Sequence, residues 1–226
     1  MSSPIASTRK NKLQNLIIGL HQRLSHNKRV DILATEIAVR MSTRTGGLKD
    51  IRCLDVGCGD MKISEGINAI IPDTIWTCID LYELPEHLKD VKKWNKYKKY
   101  DGRRIPLDDK SVDIVLFCDV LHHIRGDVSA LLREAGRVGN TVIVKDHFEY
   151  SFYSRAMLKA MDVVGNWGYG VGLPDRYFTV SSFEGLYLAA GLKPVRIDIG
   201  IDLYSHLPVV RTLLNPKWHF IAVLSS

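Results

Sequence analysis

A short stretch near residue 55 joins a strand-like segment to a helix-like segment through two glycines. The apolar run Ile51–Val56 leads into Gly57-Cys58-Gly59, and the isoleucines that follow have the spacing of one helix face: Ile63, Ile67 and Ile70. Glycine accepts backbone conformations that other residues resist, so a turn of this kind lets a ligand approach the main chain closely. The stretch predicts a strand–turn–helix corner that binds part of a nucleotide.

The spacing of the glycines separates two classes of nucleotide ligand. A dinucleotide-binding fingerprint that starts at Gly57 requires a third glycine at the position of Lys62. Asp55 lies just before the first glycine, where its carboxylate repels a pyrophosphate. An acid there suits a ligand with positive charge, and S-adenosylmethionine carries an ammonium and a sulfonium. The spacing therefore disfavours a nicotinamide oxidoreductase and favours S-adenosylmethionine.

The length and composition are typical of one soluble domain. The chain has 226 residues, 46% of them hydrophobic, and no linker, repeat or low-complexity run divides it. We expect neither a signal peptide nor a membrane span, because no apolar stretch approaches the ~20 residues that cross a bilayer. The cysteines lack C-x-x-C spacing, which favours buried thiols in a cytoplasmic protein and predicts neither disulfides nor a metal site.

Strand-like and helix-like segments alternate from residue 51 onward. Five predicted strands are apolar or β-branched runs: Ile51–Val56, Ile75–Asp80, Lys96–Tyr100, Val112–Phe117 and Thr141–Lys145. The predicted helices between them are Lys62–Ile71, a weaker piece at Leu84–Val91, and Asp127–Arg137. Such alternation builds parallel β-α-β units, so we predict a doubly wound α/β fold with helices on both faces of the sheet.

Further elements are predicted before and after this alternation. Apolar residues at helical spacing predict two N-terminal helices, around Leu13–Leu24 and Leu33–Met41. After Lys145 the predicted elements are a helix at Phe152–Val164, a helix opened by a capping box at Ser181–Glu184 and ended by Gly191, a short helix within 200–216, and strands at Val195–Ile199 and Trp218–Leu224. The last two strands are expected to pair antiparallel at one edge of the sheet.

Four motifs occur in an order and spacing that one enzyme family shares. They are Leu54–Gly59, the strand-ending acid in Cys78–Leu81, the turn Asp101-Gly102, and the fourth strand with its exit at Ser111–Val115 and Leu121–Ile124. Together they resemble the class I S-adenosylmethionine-dependent methyltransferases, in particular the small-molecule group similar to the ubiquinone/menaquinone C-methyltransferases (methyltransferase type 11). Met61 departs from the pattern, because the family usually carries a third small residue there.

The resemblance implies a Rossmann-like seven-stranded sheet, mostly parallel, with an antiparallel strand at one edge. It also implies S-adenosyl-L-methionine as cofactor and S-adenosyl-L-homocysteine as product. We expect one methyltransferase domain over 1–226, with helices over the cleft in 1–48, the cofactor-binding core in 49–147 and the substrate side in 148–226. The expected cofactor-binding residues are Asp55, Gly57, Cys58, Gly59, Asp80, Leu81, Asp101, Gly102 and Cys118.

Physical roles can be given to several of these residues. Asp80 ends the second predicted strand, where a carboxylate accepts hydrogen bonds from both ribose hydroxyls. Asp101 is expected to accept a hydrogen bond from the adenine amino group, and Gly102 leaves room for the ring. Each position also has an ordinary alternative: Asp80 caps a helix or ends a strand, the glycines form plain turns, and Cys118 is part of the core.

Polar residues follow the fourth and fifth predicted strands, at the edge where a doubly wound sheet binds ligands. Methyl transfer from a sulfonium requires that the methyl donor and the acceptor atom be positioned in line. It requires a general base only when the acceptor is a poorly acidic hydroxyl. We predict that His147 is the base or a substrate contact, with His123 as a second catalytic candidate. The predicted substrate contacts are His122, Asp146, Trp167, Tyr169 and Arg176. Alternatively, His122 or His123 packs against a helix or caps a loop, and Trp167 and Tyr169 only hold a loop against the surface.

Two other functions stay open. The basic stretch Lys89–Arg104, interleaved with aromatics, suits a methyltransferase that acts on RNA or another polyanion, although a solvated helix and edge strand explain the charge more simply. A non-catalytic partner protein that binds the cofactor is the third hypothesis, and the intact Asp55, Gly57 and Asp80 argue against it. We favour methyl transfer to an O, N or C atom of a small or medium-sized acceptor.

Overall fold

The computed structural model describes residues 27–84, 95–165, 172–174 and 176–226. One seven-stranded sheet runs through this part of the chain. The strands are β1 (Ile51–Val56), β2 (Thr74–Asp80), β3 (Tyr97–Lys99), β4 (Val112–Cys118), β5 (Gly139–His147), β6 (Lys193–Ile199) and β7 (His219–Ser225). Their order across the sheet is β3-β2-β1-β4-β5-β7-β6. All seven predicted strands are present, with boundaries that differ by at most two residues.

The sheet is mostly parallel, as predicted. Strands β1 to β5 pair in parallel, whereas β7 is antiparallel to both of its neighbours, β5 and β6. The antiparallel strand therefore lies one place inside the edge, because β7 inserts between β5 and the outermost strand β6. The chain reverses its winding direction between β1 and β4, and the crevice at the carboxyl ends of these strands is where such sheets bind ligands.

The described helices surround this sheet. They are α1 (Asn27–Thr45), α2 (Lys62–Ile70), α3 (Val128–Val138), α4 (Phe152–Gly165), α5 (Val180–Ala189) and α6 (Pro208–Leu213), with single 3₁₀ turns at Leu121–His123 and Pro216–Trp218. Helix α3 shows why the sequence pattern predicted them. Its N-cap Asp127 accepts the N–H of Ala130, and Leu131, Leu132 and Ala135 are buried on one face.

Some predictions need correction or lie outside the described residues. The capping box of α5 is formed by Thr179 and Ser182, two residues earlier than the predicted Ser181–Glu184, because the Thr179 hydroxyl accepts the N–H of Ser182. The helix Leu13–Leu24, most of Leu84–Val91, and residues 89–94 of the basic stretch lie outside the described part of the chain, as do Trp167 and Tyr169.

Apolar layers cover both faces of the sheet and fix its position. One layer contains Leu132 of α3 and Phe183 of α5, and the other contains Ile37 of α1 and Ile67 of α2. Alternate strand residues divide between the layers, because successive side chains point to opposite faces. Each fully buried apolar side chain stabilises the fold by about 1.5–3 kcal/mol. The carboxyl edge of the sheet is thus held by a core on either side.

None of the helices in the described ranges is both long enough and apolar enough to cross a membrane.

Candidate functional site

The glycine loop after β1 lies at the carboxyl edge of the sheet. The N–H of Gly57 donates to the carbonyl of Ile79 at 2.8 Å, which ties the loop to the end of β2. Gly57 and Gly59 have left-handed backbones, with φ values of 72° and 52°. A Cβ atom at Gly57 would lie 2.6 Å from the side chain of Val120. Gly57 is therefore required both by its backbone conformation and by close packing.

Met61 also has a left-handed backbone, with φ 62°, at the N-cap of α2. A glycine accepts this conformation freely, whereas a side chain makes it costly. The Met61 side chain is buried in the apolar layer that contains Ile37 and Ile67. Met61, where the family usually carries a third small residue, thus combines backbone strain with additional apolar burial.

The carboxylate of Asp80 connects the glycine loop with the turn after β2. One oxygen accepts the N–H of Gly59 at 2.9 Å, and the other accepts the N–H of Tyr82 at 3.2 Å. Asp80 is partly exposed and caps none of the described helices. Because a carboxylate has about four acceptor positions, these two bonds leave capacity for ligand hydroxyls.

Asp55 lies beneath the loop and is almost fully buried. Burial raises the pKa of its carboxyl to about 7; the hydroxyl of Ser64 opposes this shift, and the charges of Asp80 and Asp60 add to it. Near neutral pH, Asp55 is therefore poised between its neutral and charged forms. A cation beside it stabilises the charged form.

The turn Asp101-Gly102 follows β3 and is built around its own side chain. The carboxylate of Asp101 accepts the N–H groups of Arg103 and Arg104 at 2.8 and 3.0 Å. Gly102 has φ 75°, and a Cβ there would lie 2.6 Å from the side chain of Leu81. The predicted cofactor-binding residues Leu81, Asp101 and Gly102 thus lie together. The hydrogen bonds of Asp101 are also those of an ordinary Asp-Gly turn, the alternative given for this position.

Two predicted thiols flank the loop. Cys58 is buried beside Cys78, and that contact, together with burial, raises the pKa of the Cys58 thiol far above its usual range. Cys118 ends β4 and is partly exposed, and burial raises the pKa of its thiol as well. Both cysteines are neutral near pH 7 and contribute as apolar, polarisable side chains.

A charged network lies at the ends of β4 and β5, beside the glycine loop. The ammonium of Lys145 and the guanidinium of Arg29 both contact the carboxylate of Asp119, the latter at 2.6 Å. Burial alone would raise the pKa of Asp119, but Lys145, His147 and Arg29 hold it well below its usual range. Asp119 itself has a left-handed backbone, with φ 57°. Helix α1 is thereby joined to the carboxyl edge of the sheet.

His147 is buried within this network. Its Nε2 lies 3.4 Å from the ammonium of Lys145, and its Nδ1 lies 3.5 Å from the carboxylates of both Asp119 and Asp146. Burial and the charge of Lys145 lower the pKa of His147, and Asp119 opposes them. The imidazole is therefore neutral near pH 7.

His122 lies between two carboxylates. Its Nδ1 is 2.6 Å from Asp146 and its Nε2 is 3.4 Å from Asp162, which also accepts the hydroxyl of Tyr177. Burial lowers the pKa of His122, but the charges of Asp146 and Asp162 outweigh it and raise the pKa to about 10. The side chains of His122 and Asp146 have no exposed surface, so both predicted substrate contacts are buried beneath the surface of the cleft.

An open cleft borders this cluster. Its volume is about 470 Å³, and it is lined by His122, His123, Ile124, Arg125, Leu173, Pro174 and Arg176. The ring of His123 lies 4.0 Å from that of His122, and its Nδ1 lies 3.1 Å from the carbonyl of Gly172. The structure thus brings together four predicted residues, His122, His123, Asp146 and His147, and places Arg176 at the same cleft.

A family model for a methyltransferase domain matches residues 54–141, which include the glycine loop, Asp80 and the 3₁₀ turn with both histidines. This match and the fold support a class I S-adenosylmethionine-dependent methyltransferase domain in this part of the chain. Its cofactor is S-adenosylmethionine. No curated protein matches the chain.

Solved structures share the fold of this methyltransferase domain at low sequence identity. An S-adenosylmethionine-dependent methyltransferase from Aquifex aeolicus is 15% identical, with a TM-score of 0.56 over 92% of this chain and 97% of that chain. One from Archaeoglobus fulgidus is 14% identical, with a TM-score of 0.57 over 85% and 94%. The mitomycin 7-O-methyltransferase MmcR is 16% identical, with a TM-score of 0.60 over 95% of this chain and 57% of that chain.

Sequence reasoning did not single out Arg29, Lys145 or Asp162. Lys145 carried a usable signal, because a charged residue at the end of the apolar run Thr141–Val144 is unusual in a buried strand. Arg29 and Asp162 carried none, since charged residues on helices are most often solvated. Their roles depend on contacts across the fold.

Proposed function

We propose that this chain is an enzyme that transfers the methyl group of S-adenosylmethionine to an O, N or C atom of a small or medium-sized acceptor. The hydrogen bond between Asp80 and the N–H of Gly59 carries the proposal. This bond joins Asp80, the proposed ribose-binding acid, to the glycine loop, which is proposed to bind the methionine end of the cofactor. Both lie at the edge where parallel sheets bind ligands. The methyltransferase domain over 54–141 supports the same conclusion.

The cofactor extends, in this proposal, from Asp55 to Asp101. The backbone of Gly57, Cys58 and Gly59 lies beside its methionine end, and Asp55 balances its ammonium. Asp80 accepts the ribose hydroxyls. Leu81, Asp101 and Gly102 flank the adenine, and Cys118 lines the cleft. The supporting observations are the left-handed backbone of Gly57 and Gly59, the buried carboxyl of Asp55 and the turn formed by Asp101.

The chemistry is an in-line displacement. A bond forms between the acceptor atom and the methyl carbon while the carbon–sulfur bond breaks, and its electron pair stays on sulfur to give S-adenosylhomocysteine. The proton of the acceptor passes to a base or to solvent. The protein contributes mainly by orienting the two reactants and excluding water.

His147 is our candidate for the base, with His123 as the second candidate. Burial keeps His147 neutral near pH 7, and Asp119, Asp146 and Lys145 hold its ring in place. His122 and Asp146 act in this proposal as positioning residues, because their side chains are buried. Arg176, Trp167 and Tyr169 stay predicted acceptor contacts.

A small or medium-sized acceptor fits the dimensions of the cleft. A volume of about 470 Å³ lies within the range of sites for small molecules. Arg125 and Arg176 line it and favour an acceptor with a negative or hydrogen-bond-accepting group. The likeness to the fold of a mitomycin 7-O-methyltransferase is compatible with such an acceptor.

Methylation of RNA or another polyanion is the second candidate. It is favoured by exposed cations near β3, namely Lys98, Lys99, Arg103 and Arg104. Because polyanion binding depends on phosphate contacts, this candidate requires RNA retention that weakens steeply with salt. Absent or salt-independent retention by the full chain removes it.

Calorimetry distinguishes the proposal from a nicotinamide enzyme and from an inactive fold. We expect the full chain to bind S-adenosylmethionine and S-adenosylhomocysteine and not NAD. Binding of NAD alone contradicts the cofactor assignment. Mass spectrometry of small acceptors incubated with methyl-labelled cofactor then tests catalysis. Tight cofactor binding without labelling of any small acceptor or RNA in a broad panel supports the non-catalytic partner protein instead.

A further inference from the structure

Three side chains meet at the rim of the cleft. The methyl-transfer proposal uses His122 for positioning and His123 as its second candidate for the base, and it gives Asp162 no role. His122 and His123 come from the 3₁₀ turn after β4, and Asp162 comes from the last turn of α4. One ligand-capable atom of each lies within 4.8 Å of those of the other two. Two imidazoles and a carboxylate are a donor set that borderline divalent cations such as zinc prefer.

His122 is oriented as a metal ligand would be. Its Nδ1 lies 2.6 Å from the carboxylate of Asp146, and this carboxylate also accepts the N–H of His147. Metal binding displaces one proton of the His122 imidazolium. The remaining proton is donated from Nδ1 to Asp146, so the lone pair lies on Nε2, and metal-binding histidines are usually held in this way by a carboxylate. Nε2 is buried and has no hydrogen-bond partner among the described residues.

Nε2 of His122 faces the carboxylate of Asp162. His122 Nε2 and Asp162 Oδ2 are 3.4 Å apart. Two ligands of a tetrahedral zinc, each at about 2.0–2.1 Å from the metal, are separated by about 3.3 Å. The Tyr177 hydroxyl donates to the Asp162 carboxylate and orients it.

His123 is the third candidate ligand, and it lies on the side of the cluster that faces the cleft. Its Nδ1 lies 3.1 Å from the carbonyl of Gly172, and donation to that carbonyl places the lone pair of the ring on Nε2. A backbone carbonyl is the other common partner of a metal-binding histidine. His123 and Asp162 are partly exposed at the cleft, whereas His122 is buried.

A second triad, His122, Asp146 and His147, suits a cation less well. Its closest atoms, His122 Nδ1 and Asp146 Oδ1, are 2.6 Å apart and form a hydrogen bond. That separation is too short for two ligands of one metal ion. Asp146 therefore orients His122 through a hydrogen bond to Nδ1 and is not itself a ligand.

We propose that His122, His123 and Asp162 form a binding site for a divalent cation of the zinc type, with Asp146, Gly172 and Tyr177 orienting the three ligands. The remaining coordination position faces the open cleft and takes an oxygen ligand, either water or an oxygen of the acceptor. The part that concerns the acceptor rests on the proposed function. The expectation of no metal site relied on cysteine spacing, which does not report on this cluster.

Equilibrium dialysis of the chelator-treated full chain against zinc alone tests the site. We expect one equivalent per chain. His123→Gln and Asp162→Asn should each weaken binding at least tenfold, and Asp146→Asn should weaken it about 10- to 100-fold through the orientation of His122. His206→Gln is the matched control, because the ring nitrogens of His206 are also buried without partners but lie outside the cluster. It should bind zinc as the unmodified chain does.

Cobalt substitution identifies the ligands. Bound cobalt should show visible bands without the near-ultraviolet thiolate band, because no cysteine belongs to the site. Circular dichroism confirms that each variant is folded. No binding tighter than about 100 μM, a thiolate band, or binding unchanged in both His123→Gln and Asp162→Asn would overturn the proposal; His122 is then an ion-paired imidazolium. Because cofactor and acceptor are absent from these measurements, the metal site and the methyl-transfer proposal can fail separately.

Discussion

The burial of Asp55 predicts that cofactor affinity depends on pH. The carboxyl has a pKa of about 7, because burial disfavours its charged form. In our proposal the ammonium of the cofactor lies beside Asp55 and favours the carboxylate. Binding below pH 7 must therefore release a proton from Asp55, and the free energy of that release opposes binding.

The size of the effect follows from the ionised fraction of Asp55. With a pKa of about 7, this fraction falls from about 75% at pH ~7.5 to about 3% at pH ~5.5. The dissociation constant of S-adenosylhomocysteine should therefore rise about 25-fold between these pH values. Calorimetry in two buffers with different ionisation enthalpies measures this rise and also the release of about one proton at the lower pH.

Two variants isolate the effect. Asp55→Asn removes the titrating group, so its affinity for S-adenosylhomocysteine should vary little over this pH range. Asp60→Asn is the matched control, because Asp60 lies in the same loop and pairs with Lys62 at 2.5 Å. Its charge is the smallest of the causes that shift the pKa of Asp55, so this variant should retain the dependence with a midpoint at slightly lower pH. A pH-independent affinity of the unmodified chain, or a dependence that survives in Asp55→Asn, would refute the reasoning.

The same pKa shift has a consequence for stability. The folded chain holds a proton on Asp55 that the unfolded chain releases between pH 3.8 and about 7. Stability due to this group is therefore present at low pH and is lost as the pH rises to 7, by roughly 4 kcal/mol in total. Asp55→Asn has no group that ionises here, so its stability does not fall over this pH range. Without cofactor its melting temperature should exceed that of the unmodified chain at pH ~7.5, and the difference should shrink toward pH ~5. Equal melting temperatures at both pH values would contradict this.

Three further variants test other parts of the site. Asp80→Ala should weaken S-adenosylmethionine binding by one to two orders of magnitude in calorimetry, since charge-assisted hydrogen bonds contribute about 1.5–3 kcal/mol; unchanged affinity contradicts the ribose assignment. His147→Gln should lower kcat at least about 100-fold with cofactor affinity unchanged, and a fully active variant removes His147 as the base. Met61→Gly should lower the free energy of unfolding by about 1–3 kcal/mol in denaturant unfolding, because the lost burial exceeds the relieved backbone strain. A variant more stable than the unmodified chain would show that the backbone strain is the larger effect.

The order of elements was predictable because it depends on local patterns. The alternation of strands and helices followed from residue periodicity, and each observed strand lies within two residues of its prediction. The glycine loop was recognisable because Gly57 and Gly59 mark backbone that other residues resist. The capping box was misplaced, since Thr179, Ser181 and Ser182 offer similar hydroxyls and only the backbone decides which one caps.

The functional edge was predictable only in part. The sequence placed His122, His123, Asp146 and His147 after neighbouring strands, and parallel strands bring such residues to one edge. It gave no sign that Asp162 on α4 approaches His122 or that Arg29 on α1 approaches Asp119. No local spacing encodes a contact between residues so far apart in the chain.

The sequence by itself determined the strand–glycine loop–helix corner, the parallel sheet and the exclusion of a dinucleotide fingerprint, because periodicity and backbone freedom are local properties. The tertiary structure alone decided that burial raises the pKa of Asp55 to about 7, that burial lowers the pKa of His147, and that His122 lies between two carboxylates. The physical reason is that protonation and pairing depend on burial and on distances of a few ångströms, and folding sets both.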